Sequence, residues 1–240
     1  MRTSAVAVIA ASTALAGCHA GAQDVGPTVS RNYQVANFQK IEVSGPYEVD
    51  VRTGGNPGVS AQGGERLLER TTVEVEGDRL VIKPEHNGGM FHFSFGSRGS
   101  AHFTVTVPQL NSASIAGSGD ISVDRVAGQS FDGSVAGSGS LDVRALEVQQ
   151  LKLAISGSGG IKASGGKAQT AEYEIGGSGD IDAGAVQTQQ AKASIAGSGD
   201  IKANASGTAD VSIMGSGDVA VTGGAKCNVD KQGSGSVNCS

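Results

Sequence analysis

The chain has 240 residues, a formal net charge of −5, no tryptophan and 38 glycines. A weakly acidic chain without a basic stripe lacks the electrostatic attraction that nucleic acid requires, which excludes nucleic acid as the expected partner. Aromatic residues make up only 4% of the chain, so the composition favours a thin core of Ile, Val, Leu and Ala over a compact core of large rings.

The first element is an export signal. Arg2 precedes an apolar run over residues 5–16, which is too short to span a bilayer as a helix. The run ends in Leu-Ala-Gly before Cys18 and resembles the lipobox of bacterial lipoproteins. Residues 1–17 are therefore predicted to be a lipoprotein signal peptide, with Cys18 carrying a lipid anchor in the membrane. An ordinary signal peptide is the alternative. His19 is not the Asp that retains such proteins at the inner membrane, which favours the outer membrane.

Two regions that differ in composition and residue pattern follow the signal. Residues 18–35 are small and polar without periodicity and are predicted to be a flexible tether. Residues 36–110 are predicted to form irregular β rungs with a bulkier core. The expected strands alternate apolar and polar residues, and Gly-rich turn signals separate them. They are Phe38–Ser44, Tyr47–Arg52, Thr71–Glu76, Arg79–Lys83, Phe91–Phe95 and His102–Val107.

Residues 111–240 form a regular repeat. Gly-Ser-Gly occurs seven times at spacings of 20, 20, 20, 20, 18 and 18 residues, beginning at Gly117, Gly137, Gly157, Gly177, Gly197, Gly215 and Gly233. Two residues before the first glycine of each of the first six turns stands Ile or Val, and four residues after the first glycine of every turn stands Ile, Leu or Val. Alternation on both sides of a turn indicates two strands with one buried face each.

A repeat of about 20 residues buries its apolar face only by stacking on its neighbours. The fold predicted is therefore all-β, a right-handed parallel β-helix in which each residue lies over the one about 20 positions earlier. We expect the serines of the stacked turns to bond neighbouring turns. The alternative is an antiparallel β-meander in which each Gly-Ser-Gly closes a hairpin.

The last repeat differs from the others. Lys231 stands where earlier repeats have Ile or Val, so the core is expected to end there. Cys227 and Cys239 lie six residues before and six after Gly233, both in inward columns. An exported chain meets an oxidising compartment, which predicts a Cys227–Cys239 disulfide that closes the end of the stack. Two buried free thiols are the alternative.

The order of several motifs resembles one family. Segments Phe38–Gly45, Tyr47–Val51, Val73–Ile82 and Phe103–Leu110, followed by repeated Gly-Ser-Gly-Asp, are similar to the head GIN domain of autotransporter adhesins, over roughly residues 36 to 220. The resemblance implies a β-helical fold and an envelope location. It offers no catalytic motif, because the biochemical function of that domain family is unknown.

Two groups of residues are candidates for metal binding. Four turns are followed by an aspartate, and stacked carboxylates suit Ca²⁺: Asp120, Asp180, Asp200 and Asp218. The alternative is that each Asp bonds its own backbone. His86, His92 and His102 also lie near one another along the chain, without an evident carboxylate or Cys companion. Otherwise these histidines occupy the polar face of a hairpin.

These observations predict a non-catalytic envelope lipoprotein that acts in adhesion or protein interaction. We expect no cofactor, apart from the weak calcium site, and an unidentified protein or glycan partner. No Ser-His-Asp order, phosphate-binding loop or zinc Cys motif is present. The alternatives are a calcium- or glycan-binding module, a polysaccharide-active enzyme and a purely structural periplasmic protein. The expected location is the outer membrane, facing either the periplasm or the cell surface.

Overall fold

The structure is a computed structural model that describes residues 26–85 and 101–240. The predicted signal peptide, Cys18 and the expected strand Phe91–Phe95 lie outside these residues. Within them the chain is almost all β, and no helix has the length and apolar character needed to cross a membrane.

The repeat region is a stack of parallel strands. From Gly117 to Gly233 the chain makes about six coils, which confirms the predicted parallel β-helix over the antiparallel meander. The strands are β8 (Ser112–Gly117), β9 (Asp120–Val123), β10 (Val126–Gly137), β11 (Ser140–Val143), β12 (Leu146–Gly157), β13 (Gly160–Ala163), β14 (Gly166–Lys167), β15 (Thr170–Gly177), β16 (Asp180–Gly197), β17 (Ile201–Gly215), β18 (Val219–Thr222), β19 (Lys226–Gly233) and β20 (Val237–Cys239).

Like residues stack in register because each coil repeats the same period. Val135 pairs with Ile115 below it and Ile155 above it, and all three are at most 3% exposed. The segment that returns from one coil to the next also pairs, for example where Val126 meets Leu146. Each coil therefore contributes three short ladders to one continuous apolar core.

The N-terminal region is less regular, as predicted. Its elements are β1 (Thr28–Tyr33), β2 (Lys40–Ser44), β3 (Tyr47–Thr53), β4 (Gly58–Gly64), α1 (Glu65–Glu69), β5 (Thr71–Glu76), β6 (Arg79–Pro84) and β7 (Ala101–Val107). Its core is bulkier, because the ring of Tyr47 packs edge-on against Phe103 with centroids 5.5 Å apart.

The order of coils in space differs from their order along the chain. Strand β2 pairs with β6 on one side and β8 on the other, and β3 lies between β7 and β9 in the same way. The coil formed by β2 and β3 is thus inserted between the coil of β6 and β7 and the first regular coil. The 20-residue offset applies only from β8 onward.

Antiparallel strands cover the N-terminal end of the stack. Strand β5 pairs antiparallel with β6, and β4 and β1 extend the sheet antiparallel from β7. Helix α1 joins β4 to β5 and buries Leu68, which is 1% exposed. This arrangement gives the core a covered end, whereas no coil among residues 26–85 and 101–240 stacks over β19 and β20.

The predicted tether of residues 18–35 needs correction. Residues 28–33 form β1, which pairs with β4 over six residues from Thr28–Gly64 to Tyr33–Val59. Val29 and Tyr33 pack partly buried against the core. The alternation of the sequence does not reveal this strand, because its partner lies about 30 residues further along the chain and only two of its six residues are apolar.

Candidate binding surface

The regular stack presents two broad lateral faces on either side of the Gly-Ser-Gly edge. We call the outward side chains of the strands that lead into the turns the pre-turn face. The outward side chains of the strands that leave the turns form the post-turn face. Both faces are built of columns, because residues one coil apart stand directly over one another.

Glycine is required at the turn edge for two separate reasons. The first glycine of each turn has a positive φ, for example 132° at Gly137, which residues with a Cβ rarely adopt. At the second glycine, a Cβ on Gly139 would contact the carbonyl oxygen of Gly119 in the coil below. The turns are joined by the Ser backbone rather than by the expected hydroxyls: the Ser138 N–H donates to the Gly117 carbonyl at 2.9 Å.

The Asp column on the post-turn face binds the backbone of the next coil. Oδ1 of Asp180 accepts from the Asp200 N–H at 3.0 Å, and Oδ1 of Asp200 accepts from the Asp218 N–H at 3.0 Å. Asp120 accepts from the Ser140 N–H at 2.9 Å in the same way. The aspartates therefore join coils, whereas the sequence suggested bonds to their own backbone.

Asp218, at the top of this column, accepts two hydrogen bonds from the next coil, whereas the other three aspartates accept one each. Its Oδ1 accepts from the Ser236 hydroxyl at 2.8 Å and from the Ser236 N–H at 2.7 Å. Both hydrogen bonds lower the pKa of the Asp218 carboxyl below its ordinary value, and the bond from the Ser236 hydroxyl contributes most. In residues 26–85 and 101–240, no group of three or more His, Cys, Asp or Glu is arranged to hold a metal ion, and the calcium site stays a prediction.

His102 has carboxylate neighbours that sequence reasoning missed. Its Nε2 lies 3.3 Å from Oδ2 of Asp50, and its Nδ1 lies 3.8 Å from Oε2 of Glu48. The parallel pairing of β7 with β3 brings these side chains together from more than 50 residues apart. His86 and His92 lie outside the described residues, so the predicted histidine cluster stays a prediction.

A charged ridge runs along the middle of the pre-turn face. We define it as Lys152, Glu172, Glu174 and Lys192. Nζ of Lys152 lies 3.0 Å from Oε2 of Glu174 and 3.5 Å from Oε2 of Glu172, and Nζ of Lys192 lies 2.9 Å from Oε1 of Glu172. The ridge is thus a chain of ion pairs across three coils in which each cation faces a carboxylate.

The ion pairs of the ridge stabilise the charged form of each member. Hydrogen bonding to Glu174 raises the pKa of the Lys152 ammonium, and hydrogen bonding to Glu172 raises that of Lys192. The Lys192 ammonium in turn lowers the pKa of the Glu172 carboxyl. Because all four side chains are at least one-third exposed, water screens these pairs and their contribution to stability is small.

Two open troughs flank the ridge. One has a volume of about 530 Å³ and is lined by residues such as Gln150, Thr170 and Gln190. The other, about 500 Å³, lies toward the turn edge and is lined mainly by small residues such as Ala154, Ser156 and Gly176. Both run along the stacking direction, across successive coils.

The C-terminal coil closes the stack as predicted. Cys227 and Cys239 form a disulfide with their Cα atoms 6.6 Å apart. Cys227 continues the inward column above Ala209, and Cys239 continues the column above Val221. Both are more exposed than the residues below them, since no coil in the described part of the chain covers them.

Comparisons with known proteins agree with this architecture. The family model described as "Putative auto-transporter adhesin, head GIN domain" matches residues 37–225. A crystal structure of a "putative adhesin" from Bacteroides fragilis has a TM-score of 0.80 and 25% identity, covering 89% of this chain and 97% of that one. No curated protein matches the chain.

Two further solved structures share the fold alone. A "Putative lipid binding protein" from Parabacteroides distasonis has a TM-score of 0.69 at 23% identity, covering 90% of this chain and 97% of that one. A "putative adhesin" from Parabacteroides merdae has a TM-score of 0.68 at 18% identity, with coverage of 90% and 97%. Similarity therefore extends over nearly the whole length of each of these proteins.

Proposed function

Because the chain belongs to the family of auto-transporter adhesin head GIN domains, we propose that it is a non-catalytic adhesion module held at the bacterial envelope. The observation that carries this proposal is the family match over residues 37–225. The family description names adhesion but no ligand and no binding residues. The surface that would make the contact must therefore be identified on this chain.

The geometry suits display and contact better than catalysis. About six stacked coils at the interstrand spacing give a rod roughly 30 Å long with two open lateral faces. On the pre-turn face the carboxylates of Glu172 and Glu174 are engaged in ion pairs with lysines. A hydrolase needs a pair of carboxylates on opposite sides of a bound substrate, and this pairing does not favour that role.

Anchoring at the outer membrane is the second part of the proposal. The lipobox-like segment ending at Cys18 supports lipidation, and the first described strand begins ten residues later at Thr28. A single acyl group binds membranes only weakly, whereas the several chains of a bacterial lipoprotein give stable attachment. The stack would then stand close to the membrane surface on a short connection.

The test is protease shaving of intact Gram-negative cells that express the chain, combined with an adhesion assay. We expect surface exposure of the domain, fractionation with the outer membrane and greater adhesion than in cells lacking it. Cys18→Ala is the matched control, and it should release the domain and abolish cell-borne adhesion. Protection from protease until the outer membrane is opened would overturn the adhesion proposal, because a periplasmic rod cannot reach an external partner.

A further inference from the structure

One trough on the pre-turn face has walls that repeat with the coil. The outer wall is a column of neutral polar side chains and the inner wall a column of charged ones, with one member of each column in every coil. The outer column is Ser130, Gln150, Thr170, Gln190 and Thr208, and the inner column is Asp132, Lys152, Glu172, Lys192 and Asp210.

The floor of this trough is narrow and consists of backbone. It lies between the two walls at the inward column, where Leu151 is 3% exposed, Ala171 5% and Ala191 6%. Because these side chains point into the core, none of them projects into the trough. The site thus has a smooth backbone floor with hydroxyl and amide groups above it on one side.

Backbone groups do not drive recognition here. The parallel ladders of β10, β12, β15, β16 and β17 already use the N–H and C=O groups along the trough. A peptide that binds by strand addition needs a free sheet edge, and this face is the middle of a sheet. Any ligand in the trough must therefore be recognised by side chains.

The charges of the trough do not favour a polyion. Lys152 and Lys192 are paired with Glu172, while Asp132 and Asp210 stand at the two ends of the column. A polyanion would meet cations that are already neutralised, and a polycation would meet only isolated end charges. A neutral ligand rich in hydroxyl groups makes use of both walls without displacing the ion pairs.

We propose that this trough binds an extended, neutral, linear polysaccharide with about one sugar in each coil. The first and fifth coils are roughly 19 Å apart at the interstrand spacing, which is close to the distance between the first and last ring centres of a five-sugar β-1,4-linked chain. Sugar hydroxyls would bond the Gln and Thr side chains, and the sugar rings would lie over the backbone floor between the two walls. The inference rests on the proposed adhesion function and names its ligand class.

The test is calorimetric titration of the purified full chain with cello- and chito-oligosaccharides from dimer to hexamer. We expect binding that strengthens with length up to about five sugars and then levels off, because the trough ends there. Gln150→Ala with Gln190→Ala should weaken binding of the pentamer about tenfold or more, through the loss of two hydrogen-bonding amides.

Gln187→Ala with Gln232→Ala is the matched control, since both are exposed glutamines that do not line the trough. It should bind as the unaltered chain does, and melting curves should show that both double variants are folded. The inference is overturned if no oligosaccharide binds, if affinity does not depend on length, or if the two double variants bind alike. Adhesion of cells without oligosaccharide binding would overturn this inference alone, whereas oligosaccharide binding without adhesion would overturn the proposed function.

Discussion

Lys231 pairs in register with Ile213 in the coil below, so a charged residue occupies a column that is otherwise Ile or Val throughout the repeat. Its ammonium donates to the Gly235 carbonyl at 2.8 Å, within the same terminal turn. An inward-pointing charge at the edge of a sheet prevents another strand from pairing there. Lys231 thus ends the apolar column and also protects the open end of the stack from pairing with another strand.

The first prediction concerns this end charge. Lys231→Ile should give a continuous apolar column at an unpaired edge, and Val229, already 46% exposed, would add to it. We expect end-to-end association or aggregation, seen as an increase in molar mass by light scattering. Lys226→Ile is the matched control, because Lys226 lies on the same strand in an outward column above Thr208. Equal molar masses for the two variants would contradict the prediction.

Removal of the disulfide should loosen the last coil. Cys227 and Cys239 are 12 residues apart, and in the chain-entropy model a loop of this size contributes about 3 kcal/mol. Cys227→Ser with Cys239→Ser should lose hydrogen-exchange protection over residues 226–240 and keep it in β10 and β12. Uniform loss of protection along the stack, or none at all, would refute a local closing role for the bond.

Gly139 should tolerate no side chain. A Cβ there would meet the Gly119 carbonyl oxygen and lie 3.0 Å from Cγ2 of Ile115, and both belong to the packed coil below. We expect Gly139→Ala to lower the free energy of unfolding by about 3 kcal/mol. Gly160→Ala is the control because no heavy atom lies within 4 Å of its Cβ position. Denaturant melts compare the two, and similar losses would count against the close turn packing.

Two tyrosines should respond in opposite ways to loss of the hydroxyl. The Tyr173 hydroxyl has no hydrogen-bond partner in the described part of the chain, and burial raises its pKa. The Tyr47 hydroxyl lies 3.0 Å from Oγ1 of Thr71. We expect Tyr173→Phe to stabilise the fold by about 1 kcal/mol and Tyr47→Phe to destabilise it by a similar amount. Destabilisation by Tyr173→Phe would show that its hydroxyl has a partner.

Acid should weaken the bond between the last two coils. Because the pKa of Asp218 is lowered in the folded state, its contribution is complete above the unfolded value of about 4 and is lost as the pH falls through the folded value. Ser236→Ala removes the hydroxyl that contributes most to this shift. It should raise the Asp218 pKa toward the ordinary value in an NMR titration, and an unchanged midpoint would exclude the Ser236 bond as the cause.

The regular coils were predictable because their pattern is local. The strict spacing of Gly117 and Gly137, with Ile115 and Val135 at the same offset, predicted the parallel register and the core. The disulfide followed from the symmetric placement of Cys227 and Cys239 about one turn. Each inference needed only residues that lie within one or two repeats of each other.

The binding surface could be predicted only in part. Columns such as Gln150, Thr170 and Gln190 are visible once the repeats are aligned. The ion pair between Lys152 and Glu174 depends on side-chain reach across coils, and the trough beside it depends on how the sheet bends. Neither quantity is set by spacing along the chain.

The sequence by itself determined the repeat, its core columns and its closed C-terminal end, because an apolar repeat of about 20 residues needs stacked neighbours to bury its face. The parallel register, rather than an antiparallel meander, was decided by the structure. Only the tertiary structure decided the order of the N-terminal coils. It inserts β2 between β6 and β8, with Lys40 paired to Ser112, because strand pairing across such separations depends on the shape of the completed core and leaves no periodic signal in the chain.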